Sequence, residues 1–170
     1  MRSHDIVILL KIISLANRSW YNKDLAYELF ISASEVTESL NRSRIAKLLN
    51  ADKNRVNVVA FKDFLFKGLP YVFPIEPGRI TIGVPTAHSA PPLKEEILSN
   101  QGYVWPFASG NIRGEAITPL HPKVPEGVQN DVLLYELLAL VDAIRVGRAR
   151  EKNLAIELLN SRIDAYQHHH

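Results

Sequence analysis

The chain has 170 residues, of which 46% are hydrophobic and 22% charged, and its net charge is +2; this composition indicates one ordinary globular domain or two small ones. Cysteine is absent, which excludes disulfides, thiolate chemistry and zinc fingers and is compatible with a reducing cytoplasm, the expected location. The apolar N-terminal run is interrupted by Lys11 and no stretch reaches the roughly 20 apolar residues of a membrane span, so neither a signal peptide nor a membrane-spanning segment is expected.

Positive charge is concentrated in the first part of the chain. Residues 1–69 carry 11 Lys and Arg against 7 Asp and Glu, whereas residues 70–170 carry 9 against 11. The basic excess in the first part fits an anionic partner there, although an excess of this size does not identify one by electrostatics alone.

Two apolar stripes open the chain. Ser3 or Asp5 can cap a first helix that ends near Asn17 and places its apolar residues on one side. A second stripe begins at Leu25 and stops at Phe30. The apolar side of the first helix consists of Ile6, Leu9, Leu10, Ile13 and Ala16.

The next helix has a clear start signal. Ser32 can accept a hydrogen bond from a backbone N–H of the first turn, and Glu35 three residues later completes the S-x-x-E capping box. We therefore expect this helix to begin near Ala33. Val36 and Leu40 form its apolar stripe.

The segment Leu25–Leu40, LAYELFISASEVTESL, resembles the helix-turn-helix of bacterial winged-helix transcriptional regulators of the MarR/ArsR-like type. The common pattern of that family is L-A-x-x-L-G-I-S-x-x-x-V-S-x-x-L. This chain departs from it at Phe30, where the family usually has a glycine that permits a left-handed turn conformation. The resemblance implies a winged helix-turn-helix in which Val36 and Leu40 face the core and the polar residues of the second helix face the major groove of DNA.

The outward residues have the chemistry that base recognition requires. Asn can bond adenine in two places, Arg can do the same with guanine, Glu can accept from cytosine, and the Thr methyl group can contact thymine. A solvated polar face, on which two glutamates repel phosphate, is the alternative interpretation. The candidate DNA-binding residues of the helix are Ser34, Glu35, Thr37, Glu38, Asn41, Arg42 and Arg44.

The stretch that follows has two interpretations. In the first, residues 52–54 form a turn and residues 55–61 form the strand of a wing. In the second, which we favour, a short connection leads to a helix that begins after Asn57. Lys53 and Arg55 are candidates for contacts with DNA phosphates in both cases, and a solvated charged turn is the alternative.

The composition changes between residues 70 and 125, where most of the prolines lie, so long helices are excluded over most of this region. Residues 80–84 have strand character, and residues 103–120 are expected to form a hairpin around residues 108–111. One or two helical turns are expected in residues 93–98. The region should fold as a small β-containing insert.

Catalysis and metal binding have weak signals. His88 is adjacent to Ser89, but the G-x-S-x-G elbow of serine hydrolases is absent. His121 lacks a second histidine or a carboxylate at a ligand spacing. No phosphate-binding glycine loop occurs. We therefore expect no enzyme activity, no catalytic residue, no metal site and no cofactor.

The last part of the chain is helical. Asp131 can start a leucine-rich helix that is apolar on more than one face and ends at Gly147, and residues 148–163 form a second amphipathic helix. Such a broad apolar surface either completes the core of the chain or binds a second copy, and we expect a homodimer through these helices. The final residues, His168–His170, look like the remains of a purification tag.

The sequence thus predicts a mainly α (α+β) protein. Residues 1–69 are expected to form a winged helix-turn-helix DNA-binding domain, residues 70–164 a β-containing and helical region for dimerisation or partner binding, and residues 165–170 a tag remnant. The expected function is that of a sequence-specific regulator that binds double-stranded DNA, a dimeric repressor. The alternative is an antitoxin or adaptor-like module whose C-terminal region binds a partner protein.

Overall fold

The computed structural model describes residues 1–99 and 101–167 and shows a mainly helical α+β architecture, as the sequence predicts. His168–His170 lie outside the described residues, while residues 165–167 belong to the last helix. The α-helices are α1 Ser3–Leu15, α2 Asn22–Leu29, α3 Ala33–Ile45, α4 Val58–Lys67, α5 Leu69–Val72, α6 Val124–Gly127, α7 Val132–Val146 and α8 Ala149–Gln167. The strands are β1 Ile80–Pro85, β2 Tyr103–Pro106 and β3 Ile112–Ala116, and two 3-10 turns span Ala87–Ser89 and Leu93–Glu95.

Three helices begin where their capping residues predict. In each, a side-chain oxygen accepts a hydrogen bond from an N–H of the first turn, which otherwise has no partner within the helix. These contacts join Ser32 Oγ to Glu35 N (3.2 Å), Asn57 Oδ1 to Ala60 N (3.3 Å) and Asp131 Oδ1 to Leu134 N (3.0 Å).

Helix α1 lies at the centre of the molecule. Its residues from Asp5 to Ser14 are all buried, so the expectation of a single apolar side is wrong. The reason is that Val7, Ile8 and Ile12 are apolar as well, and α1 packs against α3 and also against α7 and α8. The N-terminal and C-terminal parts of the chain therefore share one core.

Helices α2 and α3 are joined by a turn of three residues. Phe30 ends α2 in the left-handed conformation (φ 59°, ψ 36°) that the family pattern assigns to glycine, and its side chain is 57% exposed. The N–H of Ile31 donates to the carbonyl of Ala26 (3.1 Å), and the Ile31 side chain is buried. The turn thus keeps the left-handed conformation at Phe30 in spite of the missing glycine.

Residues 50–61, all of which the structure describes, form a tight turn followed by a helix and not a wing strand. An isolated antiparallel bridge joins Leu49 to Val56. Within the turn, Asn50 Oδ1 accepts from the N–H groups of Asn54 (2.9 Å) and Arg55 (3.0 Å). The interpretation that places a helix after Asn57 is confirmed by α4.

The three strands form a small closed sheet. The predicted strand at residues 80–84 is confirmed by β1, but the predicted hairpin is wrong. Both β2 and β3 run antiparallel to β1 and parallel to each other, so the loop between them carries the chain onward along β1 without reversing it. Gly83 and Gly110 permit this path: a Cβ atom at Gly83 would lie 1.9 Å from the Trp105 carbonyl oxygen, and one at Gly110 would lie 2.5 Å from the Gly83 carbonyl oxygen.

A buried carboxylate attaches the sheet region to α7. Asp142 Oδ2 accepts from Thr86 Oγ1 (2.7 Å) and Trp105 Nε1 (2.6 Å), and Asp142 Oδ1 accepts from Arg145 Nη1 (2.9 Å). Burial raises the pKa of the Asp142 carboxyl group, and these three donors oppose that shift. Three donors also satisfy a group whose burial without partners is unfavourable.

The leucine-rich helix α7 completes the core of its own chain. Every residue from Leu137 to Ile144 is buried, and α7 packs against α1, α5, α8 and the Ala87–Ser89 turn. The apolar breadth that led us to expect a homodimer through the C-terminal helices is therefore explained by burial within one chain. Among the described residues, no helix is long and apolar enough to cross a membrane.

Candidate nucleic-acid interface

One face of α3 is polar and exposed. Ser34, Glu35, Thr37, Glu38 and Asn41 are all exposed, and four of them, all but Glu35, are at the i, i+3, i+4 and i+7 spacings of one helical face. On the opposite side, Val36 and Leu40, which the sequence places in the core, are 0% and 2% exposed. The expected orientation of α3 is confirmed at all of these positions.

Two residues of this face have local hydrogen bonds that restrict their side chains. Thr37 Oγ1 donates to the carbonyl of Ala33 (3.0 Å) and accepts from Asn22 Nδ2 (3.3 Å). Asn41 Oδ1 accepts from Arg44 Nη2 (3.0 Å). The Asn41 amide therefore lies beside a guanidinium group on the solvent side of the helix, where its N–H groups can reach an external acceptor.

Arg42 does not face outward, and in this respect the sequence prediction is wrong. Its Nε and Nη2 atoms donate to the two carboxylate oxygens of Asp5, at 3.1 and 2.8 Å, and its Nη2 lies 3.1 Å from His4 Nε2. Burial raises the pKa of Asp5, but the donors Arg42, Ser39 and the Arg2 N–H outweigh it, so the pKa lies below its ordinary value. Arg42 thus fixes α3 to the start of α1 and is not presented to a base.

A groove of about 410 Å³ lies between the end of α3 and the turn that follows it, and basic side chains line it. Arg44 and Arg55, both predicted site residues, line it together with Lys47 and Asn50. Lys53 is in the same turn, in a left-handed conformation (φ 58°). Lys47 and Asn50 are not among the residues predicted from the sequence. The basic residues in the last turn of α3 are a signal for Lys47, whereas the position of Asn50 depends on the geometry of the turn.

A pair of histidines joins the opposite end of the α3 face to the C-terminal part of the chain. The rings of His4 and His121 meet edge to face, with their centroids 5.7 Å apart, and His121 Nε2 lies 3.8 Å from Glu35 Oε2. Burial lowers the pKa of both imidazoles. Among the described residues, no group of three His, Cys, Asp or Glu side chains is arranged to hold a metal ion.

His88 and Ser89 do not form a nucleophile and base pair. His88 Nε2 is bonded to the carbonyl of Gln101 (2.7 Å), and Ser89 Oγ accepts from the N–H of Tyr103 (2.9 Å). His88 is buried and stacks edge to face on Tyr103. These contacts hold the loop after β1 against β2.

Comparison of this chain with protein-family models, with curated proteins and with solved structures found no match. The resemblance to winged-helix regulators therefore rests on the residues of α2, the turn and α3.

Proposed function

We propose that this protein is a sequence-specific regulator of transcription that binds duplex DNA, with α3 as the recognition helix of a helix-turn-helix unit that has no wing strand in residues 50–61. The observation that carries the proposal is the exposed polar face of α3 lying beside the basic groove formed by Arg44, Lys47 and Arg55. A helix fits the major groove, which is about 12 Å wide. Base-reading groups and phosphate-binding groups are thus supplied by adjacent surfaces of one unit.

The residues of the α3 face divide into two roles. Asn41 and Thr37 are the candidates for direct base contacts, to adenine and to the thymine methyl group. Glu35 and Glu38 repel phosphate and accept from cytosine, so they narrow the choice of sequence more than they add affinity. This division makes Asn41 the most informative residue to substitute.

The phosphate contacts come from the groove and the turn. Arg44, Lys47, Lys53 and Arg55 place four positive charges at one end of α3. Each contact with a phosphate releases counterions, so binding is expected to weaken as salt rises. Arg42 is not in this set because Asp5 holds it.

The proposal also includes the number of protein copies that bind one DNA site. A homodimeric repressor on a two-fold-symmetric operator would place its two recognition helices about 34 Å apart, one turn of DNA. The length of the footprint on a selected duplex distinguishes one bound copy from two.

The test is to select preferred duplexes from a randomised pool and to measure their affinity by fluorescence anisotropy. Asn41→Ala should cost about 1 to 3 kcal/mol at a single base-pair position, whereas Lys53→Ala or Arg55→Ala should weaken all duplexes alike and lower the salt slope by about 1. Asn153→Ala, at an exposed position on α8, is the control. It should change neither the affinity for any duplex nor the salt slope. An equal loss on all sequences for Asn41→Ala would contradict its role as a base reader.

The second candidate is a protein-interaction module, such as an antitoxin or an adaptor. The exposed aromatic side chains of Tyr27 (84% exposed) and Phe30 beside the turn favour it. A partner that co-purifies from the native host in stoichiometric amount, and is released by Tyr27→Ser, would support this candidate. A lone chain that binds its own promoter tightly would count against it.

A further inference from the structure

A second polar groove, of about 470 Å³, lies between the loop that joins α1 to α2 and the turn that follows α3. We call it the loop groove. Asn50 and Arg55 line it, and the same two residues line the basic groove at the end of α3. The two grooves therefore adjoin, and together they extend from the last turn of α3 to the α1–α2 loop.

The charge of the loop groove is positive. Arg18 and Arg55 line it, and no Asp or Glu among the described residues lines either groove; Asp52 belongs to the same turn as Arg55 but lies outside both linings. Among the described residues, Arg55 forms hydrogen bonds only through its backbone. Arg18 Nη2 donates to Glu28 Oε2 (2.5 Å), and its remaining side-chain N–H groups have no acceptor in the described part of the chain. The groove is therefore suited to an anion.

Neutral hydrogen-bond donors complete the lining. Asn17 and Ser19 are exposed, and Trp20 is half-buried against the core, so the indole holds the α1–α2 loop in place. Asn54 Oδ1 accepts from Asn50 Nδ2 (2.8 Å), which leaves the Asn54 N–H groups available to an external acceptor. Side chains of Arg, Asn and Ser are the usual donors to DNA phosphate oxygens. The lining thus has the composition of a phosphate-binding surface.

The backbone around both grooves contains conformations that non-glycine residues adopt at a cost. Ala16 (φ 53°), Lys47 (φ 67°) and Lys53 (φ 58°) are three of the five non-glycine residues with a positive φ in the described part of the chain. Ala16 lines the loop groove, Lys47 lines the basic groove, and Lys53 is in the turn between them. Such conformations persist only where the surrounding structure maintains them, and they cluster at binding sites.

We propose that the loop groove binds the phosphate backbone of duplex DNA beyond the base pairs that α3 contacts. The inference rests on the DNA binding proposed above and extends that interface from Arg44 and Lys47, through Arg55, to the α1–α2 loop. A continuous phosphate backbone can occupy two adjoining grooves that share Arg55, whereas a small anion would occupy only one. Contacts in the loop groove add affinity for the flank of the site without reading its sequence.

The test compares two duplexes that contain the same selected sequence. One is trimmed to the shortest length that still binds specifically, and the other is extended at each end by about six base pairs of arbitrary sequence, roughly half a turn of DNA. Fluorescence anisotropy at several salt concentrations gives both affinities for the full chain. We expect the extended duplex to bind about tenfold more tightly, with a log–log salt slope steeper by about 1 to 2, because one or two more phosphates are contacted.

Substitutions of Asn17 assign this gain to the loop groove. Asn17 is exposed and lies outside the lining of the basic groove, so the fold and the contacts of α3 do not depend on it. Asn17→Asp should remove most of the gain from the flanks, with the affinity for the short duplex changed by less than about twofold, and Asn17→Lys should enlarge the gain. Asn153→Asp, the same change at an exposed position on α8, is the control and should keep the wild-type gain.

The outcomes separate this inference from the proposed function. Equal affinity of the wild-type chain for both duplexes, or a gain that Asn17→Asp and Asn153→Asp leave alike, would overturn the loop groove as a DNA contact while specific DNA binding stands. Specific binding to neither duplex would overturn both proposals. Saturable binding of adenosine monophosphate that Asn17→Asp abolishes, with no gain from the flanks, would assign the groove to a free phosphate compound instead.

Discussion

Phe30 stands in a backbone conformation that glycine adopts at lower cost. Its φ of 59° and ψ of 36° are left-handed, and its side chain is more exposed than buried. The conformation costs a residue with a Cβ atom about 1 to 2 kcal/mol. The chain keeps the turn because Ile31 is held in the core and its N–H is bonded to Ala26.

Replacing Phe30 by glycine should therefore stabilise the fold. We expect Phe30→Gly to raise the free energy of unfolding by about 0.5 to 1 kcal/mol, since the relief of strain exceeds the entropic cost of glycine. Urea denaturation measures the change. Phe30→Ala is the matched control, because it removes the ring but keeps the strained Cβ and should not stabilise. Destabilisation by both substitutions would show that the ring, and not the strain, determines the energetics of the turn.

Arg42 shows how a residue with the chemistry of a base reader can have a structural role. Its partner Asp5 is 0% exposed and receives two bonds from the guanidinium group. Removing Arg42 leaves a buried carboxylate short of donors, which is strongly destabilising.

We expect Arg42→Ala to lower the free energy of unfolding by about 3 kcal/mol. Arg44→Ala, two residues along the same helix, should change it by no more than about 0.5 kcal/mol, because among the described residues the Arg44 side chain bonds only the exposed side chain of Asn41. Urea denaturation of the two variants gives the comparison. Equal and small changes in the free energy of unfolding of the two variants would mean that the buried Asp5 carboxylate does not need the hydrogen bonds from Arg42.

At the scale of elements, the sequence predicts helices better than it predicts strand pairing or long-range contacts. Ser32, Asn57 and Asp131 act on the first turns of their own helices, so local sequence predicts where those helices begin. The path of β2 and β3 along β1 depends instead on close approaches at Gly83, across distant parts of the chain. Arg42 pairs with Asp5, which lies 37 positions away in the chain. No local sequence signal marks this pair, so the direction in which the Arg42 side chain faces could not be predicted from helical periodicity.

The contact between α3 and the segment before α6 should respond to pH. Burial lowers the pKa of His121 and of His4 below the ordinary value of 6.5, so the unfolded chain binds protons more readily than the folded chain does. The two neutral histidines therefore stabilise the folded chain above pH 6.5. This stabilisation is lost as the pH falls toward the lower pKa of the folded state. The charged or titratable groups around the two rings are Arg2, Asp5, Glu35, Arg42, Lys123 and Glu126.

We expect the free energy of unfolding to fall between about pH 7 and pH 5, and the double substitution of His4→Gln and His121→Gln to reduce that fall. Denaturation in urea at several pH values measures it. Identical pH dependence in the wild-type chain and the double variant would show that other groups cause the loss.

At the scale of the whole molecule, α1 makes the two predicted parts of the chain depend on each other. Its buried residues pack against α3 in the first part and against α7 and α8 in the second. The ion pair of Lys11 with Asp131, at 2.6 Å, also joins α1 to the N-cap residue of α7. A DNA-binding unit limited to residues 1–69 would therefore expose one side of its central helix to water.

A fragment of residues 1–69 should lack a cooperative unfolding transition, because the apolar side of α1 that α7 and α8 cover would be exposed. Thermal denaturation followed by circular dichroism checks this, with residues 1–167 as the control that should unfold cooperatively. A fragment that unfolds as sharply as the longer chain would establish an independent N-terminal domain.

The measurement that tests the central proposal most directly is the affinity of the full chain for the duplex upstream of its own gene. Fluorescence anisotropy at two salt concentrations, with scrambled duplex as the competitor, gives specificity and salt dependence together. We predict a preference for the upstream duplex of at least about a thousandfold, with affinity that falls as salt rises. Equal affinity for the upstream and scrambled duplexes at both salt concentrations would contradict sequence-specific DNA binding by α3.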